Sequence, residues 1–456
     1  MKQGEVIELK TEKISSDGSC IARAPDGLVI FIPGTLPGEV VRGRISVRKK
    51  EYAVAALEEI VEEAPGRRTP ACPLFGHCGG CQLQHSDYET QLNLKRSIVQ
   101  DAFERIYRNP FPVIKPCIPS PGEWNYRNKT SLPVRKKKGV LSMGYYARRS
   151  HEVVPVHSCP VLLKEMEPLP GVLHRELSHM GMSPYDERTG RGLLRHVIMR
   201  CSARSGETLV SLVAARKLTG DERKQLETDL LPRLIHVMPG LKTVTVNYNL
   251  SKGNVILGGN TEVLLADGLI SEPIPPLRFL YDTTAFFQIN TDVAGILYKE
   301  AARMALSEGA ERVLELYSGV GTLSCFLAKD GASVSAVEEW DAAASLMKEN
   351  ARLNGLSCRL EIFAGPAEDG TPWENRRYDC IVVDPPRSGC SREVLNRIGA
   401  LSAPRIVYVS CNPATLARDS GILLERGYSP VEIKCFDMFP QTVHVETAVL
   451  FERQRH

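Results

Sequence analysis

The second half of the chain spaces a cysteine, two carboxylates and a glycine turn in a way that suits group transfer to a ring. Cys411 lies in Ser410-Cys411-Asn412-Pro413, directly after a strand-like run over 405–409. Pro413 cannot donate to a sheet, so it ends the strand and leaves the cysteine at the strand's carboxyl edge. Ligands bind along that edge in open α/β sheets, which makes Cys411 a candidate nucleophile as well as a small packing residue. Gly319 and Gly321 sit between a strand-like run over 311–316 and a helix start, where a cofactor could approach the backbone. Glu338 follows about 20 residues later, where a carboxylate would grip ribose hydroxyls. Position 324 is serine, where a dinucleotide fingerprint has its third glycine, so the pattern points to S-adenosylmethionine and away from NAD. The strand-like 380–383 delivers Asp384-Pro385-Pro386-Arg387 to the same edge. Amino-group methyltransferases place an aromatic ring after the two prolines, so Arg387 argues against methylation of an exocyclic amine.

A second constellation precedes these. Cys72, Cys78 and Cys81 have C-x5-C-x2-C spacing in a glycine-rich loop that can wrap a bound centre. Three thiolates need a fourth ligand for a closed tetrahedral or cubane site. Cys159, followed by Pro160, is the preferred candidate, and Cys117, preceded by Pro116, competes with it. Spacing alone leaves zinc and an iron–sulfur cluster open. The spacing differs from the C-x3-C-x2-C of radical enzymes, so radical chemistry is not expected.

The positioning elements follow from patterning. Residues 1–62 alternate five short β-type runs with glycine turns, which predicts a small closed barrel. Residues 65–70 read as a linker, and 86–108 as a helix capped by Ser86 or Asp87. Trp124-Asn125-Tyr126-Arg127-Asn128-Lys129 mixes aromatics, amides and bases, as suits single-stranded RNA. Strand-like runs at 209–214, 243–247 and 255–257, with helical ones at 162–180 and 221–230, predict a central α+β domain. The expected division is 1–62, an OB-like barrel; 63–275, a central α+β domain carrying the cysteines; and 276–456, a Rossmann-like α/β domain. The helix over 87–108 is expected to pack on the last of these.

With 456 residues, 43% hydrophobic and 24% charged, the chain can bury large cores. Its net charge of +3 hides a local excess: residues 95–150 hold thirteen Lys or Arg against three Asp or Glu, including Arg135-Lys136-Lys137-Lys138 and Arg148-Arg149. Such an excess favours a polyanionic partner. No apolar run is long enough to span a bilayer, and the start of the chain reads as a strand with no signal peptide. Thirteen cysteines then read as thiols, ligands or catalysts, and the expected compartment is the cytoplasm.

The second half resembles the RNA 5-methyluridine methyltransferases. Phe286-Phe287-Gln288-Ile289-Asn290, Tyr317-Ser318-Gly319-Val320-Gly321, Asp384-Pro385-Pro386-Arg387, Ser410-Cys411-Asn412-Pro413 and His444-Val445-Glu446-Thr447 occur in family order. The barrel is similar to the TRAM domain, particularly in Phe31-Ile32-Pro33-Gly34-Thr35-Leu36-Pro37-Gly38-Glu39. Barrel and cysteines together match the branch that modifies 23S ribosomal RNA; by resemblance the transfer-RNA branch lacks both. The resemblance implies that Cys72, Cys78, Cys81 and Cys159 hold a 4Fe-4S cluster, and that Gln288, Tyr317, Glu338 and Asp384 bind S-adenosylmethionine. The expected partner is RNA, with no DNA and no membrane, and the chain is expected to act as a monomer.

The chemistry agrees with that expectation. Carbon 5 of uracil is a poor nucleophile, and a thiolate from Cys411 adding at carbon 6 would create an enolate able to attack a sulfonium methyl. The carbon 5 proton must then leave, and Glu446 is the matching general base. The rival expectations are a transfer-RNA uridine methyltransferase with the same chemistry, and a non-catalytic RNA-binding or redox-sensing protein that kept the fold.

Overall fold

In the computed structural model, which describes residues 2–137, 139–370 and 373–454, the glycine-punctuated start of the chain forms five strands, Val6–Ile14, Ser19–Arg23, Val29–Pro33, Val40–Arg48 and Tyr52–Glu62. They close into a barrel around Leu9, Ile30, Ile32, Val41 and Ile45. Alternation of apolar and polar residues along each strand supplies the inside and outside faces.

The middle of the chain forms a seven-stranded sheet in the order Asn260–Leu265, Leu241–Tyr248, Thr208–Ala214, Leu194–Cys201, Lys129–Lys137, Val140–Tyr146 and Val153–Pro155. Two sequence expectations fail here. Helix starts only at Leu169, because Pro168 and Pro170 suit a first turn but not a helix interior, so 162–168 stays irregular. Residues 255–257 form no strand; the carbonyls of Val255 and Ile256 instead accept from Asn249 Nδ2, at 2.6 and 3.0 Å.

The last unit is a seven-stranded sheet in the order Leu360–Ala364, Ser333–Glu338, Arg312–Leu316, Cys380–Val383, Arg405–Ser410, Glu446–Arg453 and Tyr428–Phe436. The first five strands are parallel; Glu446–Arg453 runs against them, and Tyr428–Phe436, antiparallel to it, runs with them again. After Leu360–Ala364 the chain returns to the far side of Arg312–Leu316, so the strand order reverses between that strand and Cys380–Val383. Crevices at such reversals bind ligands, and here the crevice is flanked by Tyr317 and Asp384.

The helix Tyr88–Ala102 begins on an Asp87 cap, with Asp87 Oδ1 accepting from Thr90 N at 2.8 Å. Val99 and Phe103 enter the core of the last unit beside Leu416, Ile433 and Val449. Lys95, fully buried, forms an ion pair with the equally buried Asp437 and donates to the Phe439 carbonyl at 2.8 Å. Gln91 Nε2 donates to Gln441 Oε1, and its own Oε1 accepts from Gln441 N at 2.9 Å.

The aromatic and basic stretch at 124–129 is a structural joint, not an open stacking surface. Tyr126 is buried and donates to the Pro440 carbonyl at 2.9 Å. Asn128, also buried, donates to the Gln288 carbonyl and Thr291 Oγ1 at 2.9 and 3.1 Å. The basic excess is partly spent within the chain: Arg135 pairs with Glu187, Lys137 with Glu152, and Arg148 and Arg149 both meet Asp17 of the barrel. Lys138 lies outside the described residues.

Candidate active site

Three loops meet at the carboxyl edge of the parallel strands. The first, after Arg312–Leu316, turns through Tyr317, Gly319 and Gly321, all with positive φ (64°, 57° and 79°). A side chain at Gly321 would collide with Met347, so the close helix packing there requires glycine. Glu338 ends the next strand and folds its carboxylate back, accepting from Gly319 N at 2.8 Å and Trp340 N at 3.0 Å.

Asp384 ends the strand on the other side of the reversal. Its carboxyl makes no hydrogen bond among the described residues, and burial raises its pKa to about 7. Cys411 follows the strand Arg405–Ser410, and Asn412 caps the ensuing helix Pro413–Glu425. Glu446 opens the adjacent antiparallel strand. Ser410 pairs with Thr447, so the ladder brings Cys411 and Glu446 opposite each other one step further on. The Glu446 carboxyl is buried and has no hydrogen-bond partner among the described residues. Burial and the neighbouring Asp384 hold its pKa well above the usual range, with Arg387 pulling the other way. Burial, Glu446 and Asp384 also push the Cys411 thiol up to about 11, while Arg387 favours its thiolate.

The structure therefore brings Cys411, Glu446 and Asp384 together. Tyr317 and Glu338 line the neighbouring crevice. Gln288 is placed separately, at the start of the helix Thr291–Leu306. Its carbonyl is held by Asn128, and its side-chain amide makes no hydrogen bond among the described residues.

Four residues stand in the site that the sequence had not marked as part of it. Tyr298 reaches from the helix Thr291–Leu306 into the electrostatic neighbourhood of Asp384, Glu446 and Glu315. Glu315 is buried, accepts from Ser324 Oγ, and has its pKa raised to about 8 by burial. The glutamate and serine of the sequence 315–324 were the available signal for that bond. Arg387 is the cation shared by Cys411, Glu446 and His444. His444 is held neutral by burial, with its pKa at about 4. Several buried carboxyls beside a crevice, with no bonded lysine or arginine, suit a ligand that brings its own positive charge.

The four candidate ligands are held on other segments, the 72–81 loop and the stretch after Val153–Pro155. Cys78 senses Cys159 and Cys72, and Cys81 senses Cys159 and Cys78, all as free thiols. Cys78 Sγ accepts from Gly80 N at 3.4 Å, and a side chain on Gly79 would come within 2.9 Å of the Tyr146 carbonyl. Cys117 is excluded from the group, because it is buried in the last unit against Cys435. Among the described residues, no three His, Cys, Asp or Glu side chains are set to hold a metal ion, so the iron–sulfur expectation gains no support from the arrangement itself.

An OB-like barrel, a central sheet and a donor-binding α/β domain with a cysteine and a carboxylate at its edge define an RNA methyltransferase. The chain belongs to the TRAM-bearing RNA uracil-5-methyltransferase family. Residues 1–57 match the TRAM domain, 277–398 the methyltransferase small domain and 367–454 the tRNA (uracil-5-)-methyltransferase model. An uncharacterized RNA methyltransferase of Halalkalibacterium halodurans is 37% identical over 99% of this chain and 98% of its own. Another from Listeria monocytogenes is 35% identical over 99% and 98%. The crystal structure of Pyrococcus abyssi tRNA (uracil-54, C5)-methyltransferase with S-adenosyl-L-homocysteine has a TM-score of 0.77 and 26% identity, covering 98% of this chain and 100% of that one. That alignment takes in the barrel, so the barrel does not separate ribosomal-RNA enzymes from transfer-RNA enzymes.

Proposed function

We propose that this protein methylates carbon 5 of uridine in RNA through a transient bond between Cys411 and carbon 6, with S-adenosylmethionine as donor. The observation that carries the reading is the placement of Cys411 opposite Glu446, with Asp384 beside both. Asp384 and Glu338 bind the donor together with Tyr317 and Gln288: Glu338 through the ribose, Asp384 by offering a carboxylate to the cationic end. The sulfonium charge favours ionisation of the surrounding carboxyls, which otherwise hold protons. Ionised Cys411 attacks carbon 6, and the ring's π electrons move onto the carbonyl oxygen as an enolate. Carbon 5 then takes the methyl group, and the donor departs as a neutral thioether. Glu446 removes the carbon 5 proton, the double bond re-forms, and the Cys411 thiolate leaves. The base must leave its stack to reach the thiol, and the barrel and central sheet could offset that cost through backbone contacts.

The thiols of Cys72, Cys78, Cys81 and Cys159 influence one another electrostatically but, among the described residues, are not arranged as a closed metal site; by donor chemistry alone, four thiolates are the set that would hold a 4Fe-4S cluster. Such a group would tie the 72–81 loop to the central sheet through metal–thiolate bonds, and methyl transfer, being redox-neutral, does not use it. The thiol quartet supports 23S ribosomal RNA as substrate, with the chain working as a monomer in the cytoplasm. The Pyrococcus likeness favours a second reading, transfer RNA. Incubating the protein with in-vitro transcripts of both RNAs and mapping 5-methyluridine decides between them, and methylation of neither would remove the proposal.

A further inference from the structure

Lys129 is a half-buried lysine that forms no ion pair among the described residues. It opens the strand Lys129–Lys137 and pairs in register with Arg200, so their side chains share one face of the central sheet. Arg200 is already committed: its guanidinium donates to the Thr283 and Ala285 carbonyls and lies 5.2 Å from the Tyr281 ring centre. Two residues back, Arg127 gives Nε to the Lys129 carbonyl at 2.8 Å, and its two terminal nitrogens have no acceptor among the described residues.

Burial lowers the Lys129 ammonium well below its usual range, and Arg200 and Arg127 add to the effect. The one opposing carboxylate is Asp282, which lies beyond ion-pair distance. Its Oδ1 is taken up by Thr284 N, Thr284 Oγ1 and Ala285 N, at 2.8, 2.9 and 2.7 Å. Lys129 thus faces two arginines and one carboxylate whose Oδ1 alone is taken up, while Arg127 also faces the Cys81 and Cys159 sulfurs, so it is at Lys129 that a further anion would relieve the excess of positive charge.

The position of this cluster says which anion. Arg127 also bears electrostatically on His444, two residues before Glu446, so the cluster borders the acceptor side of the crevice. None of the groups acting on Lys129 is Glu338, Asp384 or Glu446. The 282–288 loop that faces Arg200 also carries Phe286, whose ring is 65% exposed. An exposed ring on the loop that Arg200 holds, with Lys129 paired in register to Arg200, offers two things a single-stranded nucleotide needs: a stacking surface and phosphate neutralisation.

We infer that Lys129, with Arg127 behind it, binds an RNA backbone phosphate close to the target uridine. The inference rests on the function proposed above and names the RNA contact of that same site. The phosphate supplies the missing charge, and the pre-formed cluster fixes where the strand runs.

The test compares wild type, K129M and K129R by filter binding to in-vitro transcripts of 23S rRNA and tRNA across a salt series. Loss of one phosphate contact should weaken binding by about tenfold and flatten the slope of log K against log salt by about 0.7. K129R should keep the wild-type slope. S-adenosylhomocysteine affinity, measured by calorimetry, should match wild type in both variants. An unchanged slope in K129M overturns the inference. So does a loss confined to S-adenosylhomocysteine affinity, which would make the donor's carboxylate the occupant. If K129M does not fold, K129Q is read in its place. A wild type that binds RNA with the expected slope difference but methylates neither transcript would remove the proposed function and leave the phosphate site standing.

Discussion

Cys411 and Glu446 face each other because Ser410 and Thr447, on their inner sides, are partners in an antiparallel ladder. A slip of one residue in either strand would send that strand's side chain to the opposite face from its partner's, so the register itself assembles the pair. Replacing Cys411 by Ala should abolish the covalent adduct with 5-fluorouridine RNA and lower methyl transfer by more than about a thousandfold. Gel-shift under denaturing conditions reads the first effect, and labelled methyl incorporation the second.

Glu446→Gln should act later in the sequence. Methyl transfer would proceed, but proton removal would slow by about a hundredfold to ten-thousandfold. A denaturation-resistant complex of protein and methylated RNA should therefore accumulate, where wild type shows little. Normal turnover in this variant would remove Glu446 as the base.

The resting Cys411 thiol, at about 11, is mostly protonated near neutrality. Ionisation grows about tenfold per pH unit below that value, so kcat/KM for RNA should rise with pH between about 7 and 9. Arg387 is the cation that favours the thiolate, so Arg387→Gln should move the rising limb to higher pH. A flat profile in wild type would argue against thiolate formation as the pH-dependent step.

Asp384, at about 7, should link donor binding to pH. Below that value the carboxyl is protonated and no longer attracts a sulfonium, so S-adenosylmethionine affinity should fall on acidification by at most about tenfold per unit. S-adenosylhomocysteine, whose sulfur is neutral, should show a shallower dependence. Calorimetric titration of both ligands at several pH values reads the difference, and Asp384→Asn should erase it.

For the thiol quartet, protein prepared anaerobically should contain iron and labile sulfide. Cys159→Ser should lose them, and Cys117→Ser should keep them. Metal analysis showing zinc and no iron would replace the cluster with a single-ion site.

Much of this site could be read in the chain because its parts are local. A proline ends the strand after Cys411, and glycines mark the turn after Leu316. Alternating short strands foretold the barrel in the same way. The failures came where tertiary context overrides composition. Tyr126 and Asn128 look like RNA-contact residues, but they meet Pro440 and Gln288, far along the chain, and become interior hydrogen-bonding groups. Arg148 and Arg149 look like a basic patch until the barrel brings Asp17 against them. No pattern joins Tyr298 to Asp384, because only the sheet order makes them neighbours.

The ion pair between Lys95 and Asp437 has a further consequence. Removing Lys95 would strand a buried carboxylate and cost about 3–5 kcal/mol, which denaturant unfolding of Lys95→Ala would detect. The damage would also travel, since residues 437–445 are the lead-in that sets where Glu446 begins its strand. The proposed base, Glu446, is thus anchored from early in the chain, by a helix that precedes the methyltransferase-like sheet altogether. Swapping the amino-terminal modules for those of a relative with another RNA target would therefore disturb turnover as well as target choice.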